Sequence, residues 1–349
     1  MAQRERVLVA MSGGVDSSVA VHLLQAQGYD CSGAMMLLHS KDADTTDARW
    51  VAEKLGIPFH VFDATELFRR QVQARFVSVY EQGGTPNPCV DCNRNLKFGY
   101  FLDKALEMGC EYIATGHYAR VVRDPTTGRY LLKKALNSAK DQSYFLACLN
   151  QQQLAHVRFP LGELTKEAVR QIAEEQGLAN AHKKDSQDIC FVPDGDYFAF
   201  LQEFTGKEYE SGNYLDKNGR IVGTHRGAVA YTIGQRKGLG IAMGEPVYVC
   251  GKDMINNTVT VDSNDALFHR SLIGTDWCWI SIAELTGPIR CLAKARSRQA
   301  EQPATATPLP NGTLRIDFDE PQRAITPGQA IVLYDGDTVL AGGTISSVV

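Results

Sequence analysis

The stretch AMSGGVDSS at positions 10–18 decides how the rest of the chain is read. Val7-Leu8-Val9 before it has the character of a buried strand, and Val19, Ala20, Leu23 and Leu24 after it recur at helical spacing until Gly28. The glycines therefore lie at a strand-to-helix junction, where free backbone N–H groups and the positive helix end attract an anion. Gly13 and Gly14 let the main chain come close to that anion, and Ser12, Ser17 and Ser18 add hydroxyls. A loop built to reach the outer phosphates of ATP ends in Gly-Lys-Ser or Gly-Lys-Thr. Here Val-Asp-Ser stands in that place. This disfavours hydrolysis at the γ-phosphate and suits a loop that grips departing pyrophosphate while the α-phosphate is attacked, so that AMP passes to an acceptor. A plain turn with Asp16 or Ser17 as helix N-cap is the competing reading.

Strand and helix signals alternate onward from the loop. Apolar runs at 33–38, 59–62 and 112–115 are separated by helical stretches, one ending at Leu55-Gly56 and a longer one running through Tyr80. The pattern predicts an α/β fold with a doubly wound parallel sheet over residues 1–205. Ligands bind beyond the carboxyl ends of such strands, so Met36 and the segment TGHY at 115–118 should face the same crevice as the serine loop. From about residue 206 the texture changes to short alternating runs divided by turn dipeptides, Asn218-Gly219, Asn256-Asn257, Asn311-Gly312 and Asp335-Gly336. That predicts a small β-rich middle domain over 206–275 and a C-terminal β-barrel over 276–349, with 301–312 as a loop.

Composition narrows the class. A chain of 349 residues with 44% apolar content can bury proper cores in two or three domains. No apolar run approaches the 18 or so residues of a membrane span, and the start MAQRERVLVAM lacks a signal-peptide core, so the expected location is cytoplasmic with no membrane partner. A net charge of −4 and a pI near 6.1 carry no global nucleic-acid signature, which leaves any RNA site to a local basic patch. Nine cysteines, an odd number, argue for a few chemically active thiols rather than a disulfide framework.

Two loops carry the cysteines of interest. In GGTPNPCVDCNRNLKF, 83–98, Cys89 and Cys92 fall where a helix from Asn93 to Met108 should begin, with Arg94 and Lys97 nearby, and both features should lower a thiol pKa. A structural zinc site is the alternative, but a second Cys/His pair at ligand spacing is missing. Cys190 sits in a further loop, 183–197, flanked by Lys183 and Lys184. Cys31, Cys110, Cys148, Cys250, Cys278 and Cys291 lie in apolar runs and read as core. Near the C-terminal end Arg290, Lys294, Arg296 and Arg298 alternate, which on a strand would give one cationic face for phosphates, or a solvated edge.

SGGVDSS (12–18), TPNPCVDCN (85–93), ATGHYAR (114–120), KDQSYFL (140–146), KKDSQDICF (183–191), GQRKGLG (234–240) and TPGQ (326–329) together resemble the bacterial tRNA-specific 2-thiouridylases, nearly end to end. The first motif alone marks only the wider ATP-pyrophosphatase (PP-loop) group, shared with amidating ligases; the cysteine segments narrow it. The resemblance implies ATP-dependent 2-thiolation of the wobble uridine in the anticodon loop of tRNA, in Lys, Glu and Gln tRNAs, with release of AMP and pyrophosphate. It implies ATP with Mg2+ at Ala10, Met11, Ser12, Gly13, Gly14, Val15, Asp16, Ser17, Met36 and Gly116. Cys190 would receive sulfur as a persulfide from a sulfur-relay protein or cysteine desulfurase, Cys92 would attack or assist, and the two would end as a disulfide. By the same motifs Asn87, Pro88 and Cys89 contact the target base, and His117, Lys140, Asp141, Gln142, Arg296, Ser297 and Gln329 contact tRNA, with a plain N-cap as the alternative for Asp141. Relatives often carry aspartate at the Cys89 position. Three cysteines could then hold an iron–sulfur cluster with one open iron, but the persulfide route is preferred. The competing functions are an amidating or ligating ATP pyrophosphatase acting on a small molecule, and a redox or metal-binding RNA-binding protein without catalysis.

Overall fold

The structure is a computed structural model that describes residues 4–178, 189–192 and 194–349. Its N-terminal part carries seven strands: β1 (Arg6–Ala10), β2 (Asp30–Leu37), β3 (Phe59–Asp63), β4 (Tyr112–Ala114), β5 (Ala119–Arg123), β6 (Tyr130–Lys134) and β7 (Val157–Arg158). Five of them form a parallel sheet in the order β3-β2-β1-β4-β7. β1 is central and its side chains serve both faces. Val7 and Val9 pack on the side of helix α1 (Val15–Ala26) and helix α2 (Thr46–Lys54), while Leu8 joins Phe98, Phe101 and Ile113 on the other. The chain winds from β1 to β2 and β3, then returns to pair β4 on the free edge of β1. The carboxyl ends of β1 and β4 thus lie side by side at the switch point where such sheets bind ligands.

The second sheet, in the order β10-β11-β8-β9, comprises β8 (Gly212–Leu215), β9 (Ile221–His225), β10 (Tyr248–Asp253) and β11 (Thr258–Asp262). A six-stranded barrel follows, of β12 (Phe268–Trp279), β13 (Ile289–Lys294), β14 (Gln302–Pro308), β15 (Leu314–Arg323), β16 (Ala330–Asp335) and β17 (Thr338–Val348), closed because β12 pairs with both β15 and β17. All four turn dipeptides expected from the sequence join antiparallel strands or strands of one sheet. Two details differ from the sequence reading. The first barrel strand starts at Phe268, ahead of the change of texture at 276. Residues 302–308, expected in a loop, form β14, because Ala304 and Ala306 alternate inward into the barrel core while Pro303 and Pro308 lie near the strand ends.

The β5–β6 hairpin leaves the parallel sheet and extends the barrel, with Lys133 paired to Thr338 of β17. Around it the two parts share one core: Leu132, Tyr144, Leu146 and Leu149 pack with Ile280, Val332, Tyr334 and Val339. The Tyr144 hydroxyl donates to the Ala330 carbonyl at 2.9 Å, and Arg129 donates to the carbonyls of Ile280 and Trp279 at 2.9 and 3.2 Å.

Candidate active site

The loop after β1 turns on Gly13, whose φ of +71° favours glycine, and Gly14 caps α1 with no side chain on the helix end. Neither Asp16 nor Ser17 is the N-cap, so the cap expected of one of them is not made. Ser17 and Ser18 both donate from their hydroxyls to the Gly14 carbonyl at 3.0 Å, and Ser12 N–H donates to Ser17 Oγ at 3.4 Å. The hydroxyls brace the loop and leave the leading N–H groups of α1 to an anion.

Asp16 is tied from two directions. Both carboxylate oxygens accept from the buried Lys166 ammonium at 2.8 Å, and Oδ1 also accepts from the Tyr118 hydroxyl at 2.8 Å. Lys166 opens the helix Lys166–Glu175 and Tyr118 belongs to the turn after β4, so three elements meet at one carboxylate. The same turn approaches so closely that a Cβ on Gly116 would lie 2.8 Å from the Asp16 carbonyl carbon and 2.9 Å from Ser17 N.

A cleft of about 670 Å³ opens here, of a size that takes a nucleotide. Ala10, Met11, Ser12, Gly14, Val15, Asp16, Ser17, Met36, Gly116, His117, Lys140, Gln142 and Cys190 all line it, as do Lys97, Thr115 and Tyr118. The phosphate loop and one thiol therefore share a chamber. His117 packs tilted against Phe98 and edge-on to Phe159 and bonds through Nδ1 to Thr115 Oγ1 at 2.7 Å; burial, helped by the nearby Lys97 charge, holds its pKa well below the usual value, so the ring is neutral.

The cysteine loop is shaped by the barrel. Thr85 N–H donates to the Pro327 carbonyl at 2.8 Å, and Gln329 Nε2 donates to the carbonyls of Thr85 and Pro86, each at 3.0 Å. Buried Pro88 then starts a helix at its first position, with Asn87 before it hydrogen-bonded to Tyr144. Helix formation thus begins five residues earlier than the sequence suggested. Cys92 is the last residue of the segment Pro88–Cys92 and lies inside a continuous helix, not at an N-terminus. The next segment, Asn93–Tyr100, is wound as a π-helix, with Phe101 N–H donating to the Leu96 carbonyl.

The expectation of lowered thiol pKa values is corrected. Burial raises Cys89, Cys92 and Cys190, Cys92 to about 11, and Lys97 opposes the rise at all three. Arg94 acts instead on Asp91, Cys148 and Cys278. The three thiols influence one another electrostatically: Cys92 feels Cys190 and Cys89, and Cys190 feels Cys89. Cys190 lines the cleft and is exposed, as is Cys89, whereas Cys92 is buried. Among the described residues no group of three His, Cys, Asp or Glu side chains is set to hold a metal ion. Lys183 and Lys184 lie outside the described residues. Of the cysteines read as core, Cys31, Cys110 and Cys148 are buried, whereas Cys250, Cys278 and Cys291 are only half-buried.

The remaining expected contacts are dispersed. Asp141 accepts from Ala135 N–H at 3.0 Å and Ser143 Oγ at 2.8 Å and holds a turn, but it is not the N-cap of the helix Ser143–Leu146, which is Gln142. The basic stripe does not form: β13 ends at Lys294, Arg296, Ser297 and Arg298 follow in a turn, and Arg290 pairs with Asp319 at 2.7 Å. Arg296 is turned inward, donating to Thr326 Oγ1 at 2.6 Å and the Ile233 carbonyl at 3.2 Å. Met36 and the segment 115–118 face the crevice of the serine loop as the strand order predicted. Sequence reasoning missed Lys166, which carries no local signal, since only the fold brings it to Asp16.

Residues 5–194 match the family model of the tRNA methyl transferase HUP domain, 198–263 that of the tRNA methyl transferase PRC-barrel domain, and 269–345 that of the aminomethyltransferase β-barrel domain. The chain is 46% identical to the tRNA-specific 2-thiouridylase MnmA of Clostridioides difficile, with 99% of each chain covered. It is 48% identical to that of Moorella thermoacetica (98% of this chain, 99% of the relative) and 47% to that of Treponema denticola (98% of each). A PP-loop cleft with a thiol in its wall and likeness over nearly the whole length lead to one conclusion: the chain belongs to the tRNA-specific 2-thiouridylase family.

Proposed function

We propose that this protein is a tRNA-uridine 2-sulfurtransferase that adenylates the C2 oxygen of the wobble uridine and replaces it with sulfur. The observation that carries the reading is the sharing of one cleft by the phosphate loop and Cys190. The C2 oxygen is a poor leaving group; joined to the α-phosphate of ATP it departs as AMP. The loop 12–17 and the start of α1 hold the pyrophosphate that leaves first. Asp16 has both oxygens engaged, so Mg2+ would ride with the ATP phosphates rather than on that carboxylate.

Sulfur then passes in two steps. The terminal sulfur of a Cys190 persulfide bonds to C2 as AMP leaves. The Cys92 thiolate next attacks Cys190 Sγ, which breaks the S–S bond to the transferred sulfur, leaves thiocarbonyl on the base and oxidises the two cysteines to a disulfide. An external thiol reductant reopens it. In this reading Cys89, with Asn87 and Pro88, contacts the splayed base. The sulfur source in this reading is a relay protein or cysteine desulfurase, the RNA substrates are the Lys, Glu and Gln tRNAs, and the work is divided among regions 1–205, 206–275 and 276–349. An amidating or ligating reaction on a small molecule gives the cleft thiols no task.

Purified protein, tRNA, ATP, Mg2+ and a desulfurase with labelled cysteine sulfur test the reading by mass spectrometry of the tRNA. Thiolated uridine that depends on ATP is expected, with label on Cys190 in the wild type and none in Cys190→Ser. Cys92→Ser should accept label and fail to deliver it. Rigorously iron-free protein should remain active; inactivity restored only by iron and sulfide overturns the persulfide route and assigns the three cysteines to a cluster.

A further inference from the structure

The cleft contains a cation to which the steps described so far give no task. Lys97 is half-buried in its wall beside Cys190 and the phosphate loop, and among the described residues it has no hydrogen-bond or ion-pair partner. Withdrawing an ammonium from water without compensation is costly, which favours an anion at that place. Lys97 lies within the π-wound segment Asn93–Tyr100, which directly follows Cys92 in the same continuous helix. Its field reaches Cys89, Cys92 and Cys190, and among the described residues no other cation acts on all three. Lys140, the other lysine of the cleft, is already engaged and exerts no comparable influence on the thiols.

We propose that Lys97 is the shared counter-cation of the sulfur-transfer half of the site, balancing the anionic sulfur of Cys190 as persulfide and the thiolate of Cys92 as it attacks. The inference rests on the thiouridylase reading and adds an electrostatic residue to it. Sulfur transfer passes negative charge from the persulfide to AMP and then from Cys92 to the base, always within this chamber. Burial still prevails over Lys97 at rest, so the cation acts by lessening the cost of forming each sulfur anion when transfer occurs.

The test compares Lys97→Met and Lys97→Gln with Lys97→Arg in the full chain. The primary readout is the pH profile of iodoacetamide alkylation at Cys89 and Cys190, resolved by mass spectrometry without tRNA or ATP. Loss of the cation should move the profiles toward higher pH by about one unit, slowing alkylation at pH 8 about tenfold, and arginine should restore most of it. In steady state the neutral variants should lower kcat for thiolation about tenfold or more while the KM values for ATP and tRNA stay within about threefold. Unchanged alkylation profiles in a folded neutral variant overturn the proposal, as does a raised KM for ATP with kcat retained, which would give Lys97 to the nucleotide phosphates. Should neither neutral variant fold, Lys97→Ser takes their place: an alkylation profile displaced to higher pH supports the proposal, and an undisplaced one overturns it. If the wild type thiolates no tRNA, the functional reading fails, yet the alkylation profiles still decide whether Lys97 governs the thiols.

Discussion

Asp16 is the one carboxylate in the stretch 10–18, and both of its oxygens are taken by Lys166. Its contribution is therefore to fix the start of α1 against the turn after β4 and the helix Lys166–Glu175, so that the loop's N–H groups are aimed before ATP arrives. Lys166 is only 3% exposed, and Asp16→Ala takes both of these contacts from its buried ammonium, a loss of up to about 3–5 kcal/mol. The double variant Asp16→Ala/Lys166→Met removes the ion pair as a whole and should be more stable than Asp16→Ala alone in a urea titration. Its ATP–pyrophosphate isotope exchange in the presence of tRNA should nevertheless remain about 100-fold below wild type, because a loop displaced by 1 Å loses about that much. Wild-type exchange in the folded double variant would reduce the pair to a stability role. At Cys92 a different balance holds: removal from water outweighs the nearby positive charge, and the thiol rests protonated, with its pKa at about 11, until a change in its surroundings ionises it.

Elements whose signals are local were legible from sequence. The strand, loop and helix around residues 6–26 and the four turn dipeptides of the β-rich part stand where alternation, helical spacing and turn chemistry put them. Elements that depend on distant partners were not. β14 reads as a loop until its alanines find the barrel interior, and the β5–β6 hairpin gives no hint that it will extend a barrel two hundred residues away. A helix was expected from Asn93 onward, but neither its start at Pro88 nor the π-winding of Asn93–Tyr100 was. The contact between the β4 turn and α1 belongs to this scale as well. A methyl group at Gly116 meets backbone atoms of Asp16 and Ser17 at 2.8–2.9 Å, atoms that cannot move aside singly. Gly116→Ala should push α1 and the turn apart, costing about 1–3 kcal/mol in a thermal melt and reducing pyrophosphate exchange at least tenfold, with tRNA binding little changed. Normal exchange would show that the approach of the two elements is not what positions the phosphates.

At the scale of the whole molecule the barrel is part of the active site's scaffold. Its TPGQ turn holds the backbone of Thr85 and Pro86, so the cysteine loop takes its shape from residues 240 positions further along the chain. Lys252 of β10 reaches toward the same region, donating to the Tyr231 carbonyl at 2.7 Å and lying 3.5 Å from the Gly84 carbonyl. The core shared by Tyr144, Leu146 and Leu149 with Val332, Tyr334 and Val339 means that separating the two parts exposes apolar surface on both. The N-terminal region and barrel should accordingly unfold together. The three tryptophans allow a direct check, since Trp50 lies on α2 and Trp277 and Trp279 lie on β12. Trp50 is 40% exposed, so Trp50→Phe should fold normally and leave fluorescence reporting on the barrel alone. In that variant the thermal midpoint seen by fluorescence should coincide within about 3 °C with the midpoint from far-ultraviolet circular dichroism at the helical band, which reports chiefly on the N-terminal part. A barrel transition displaced by about 10 °C or more would mean that the shared core does not couple the two parts, and the barrel could not then be what holds the cysteine loop in place.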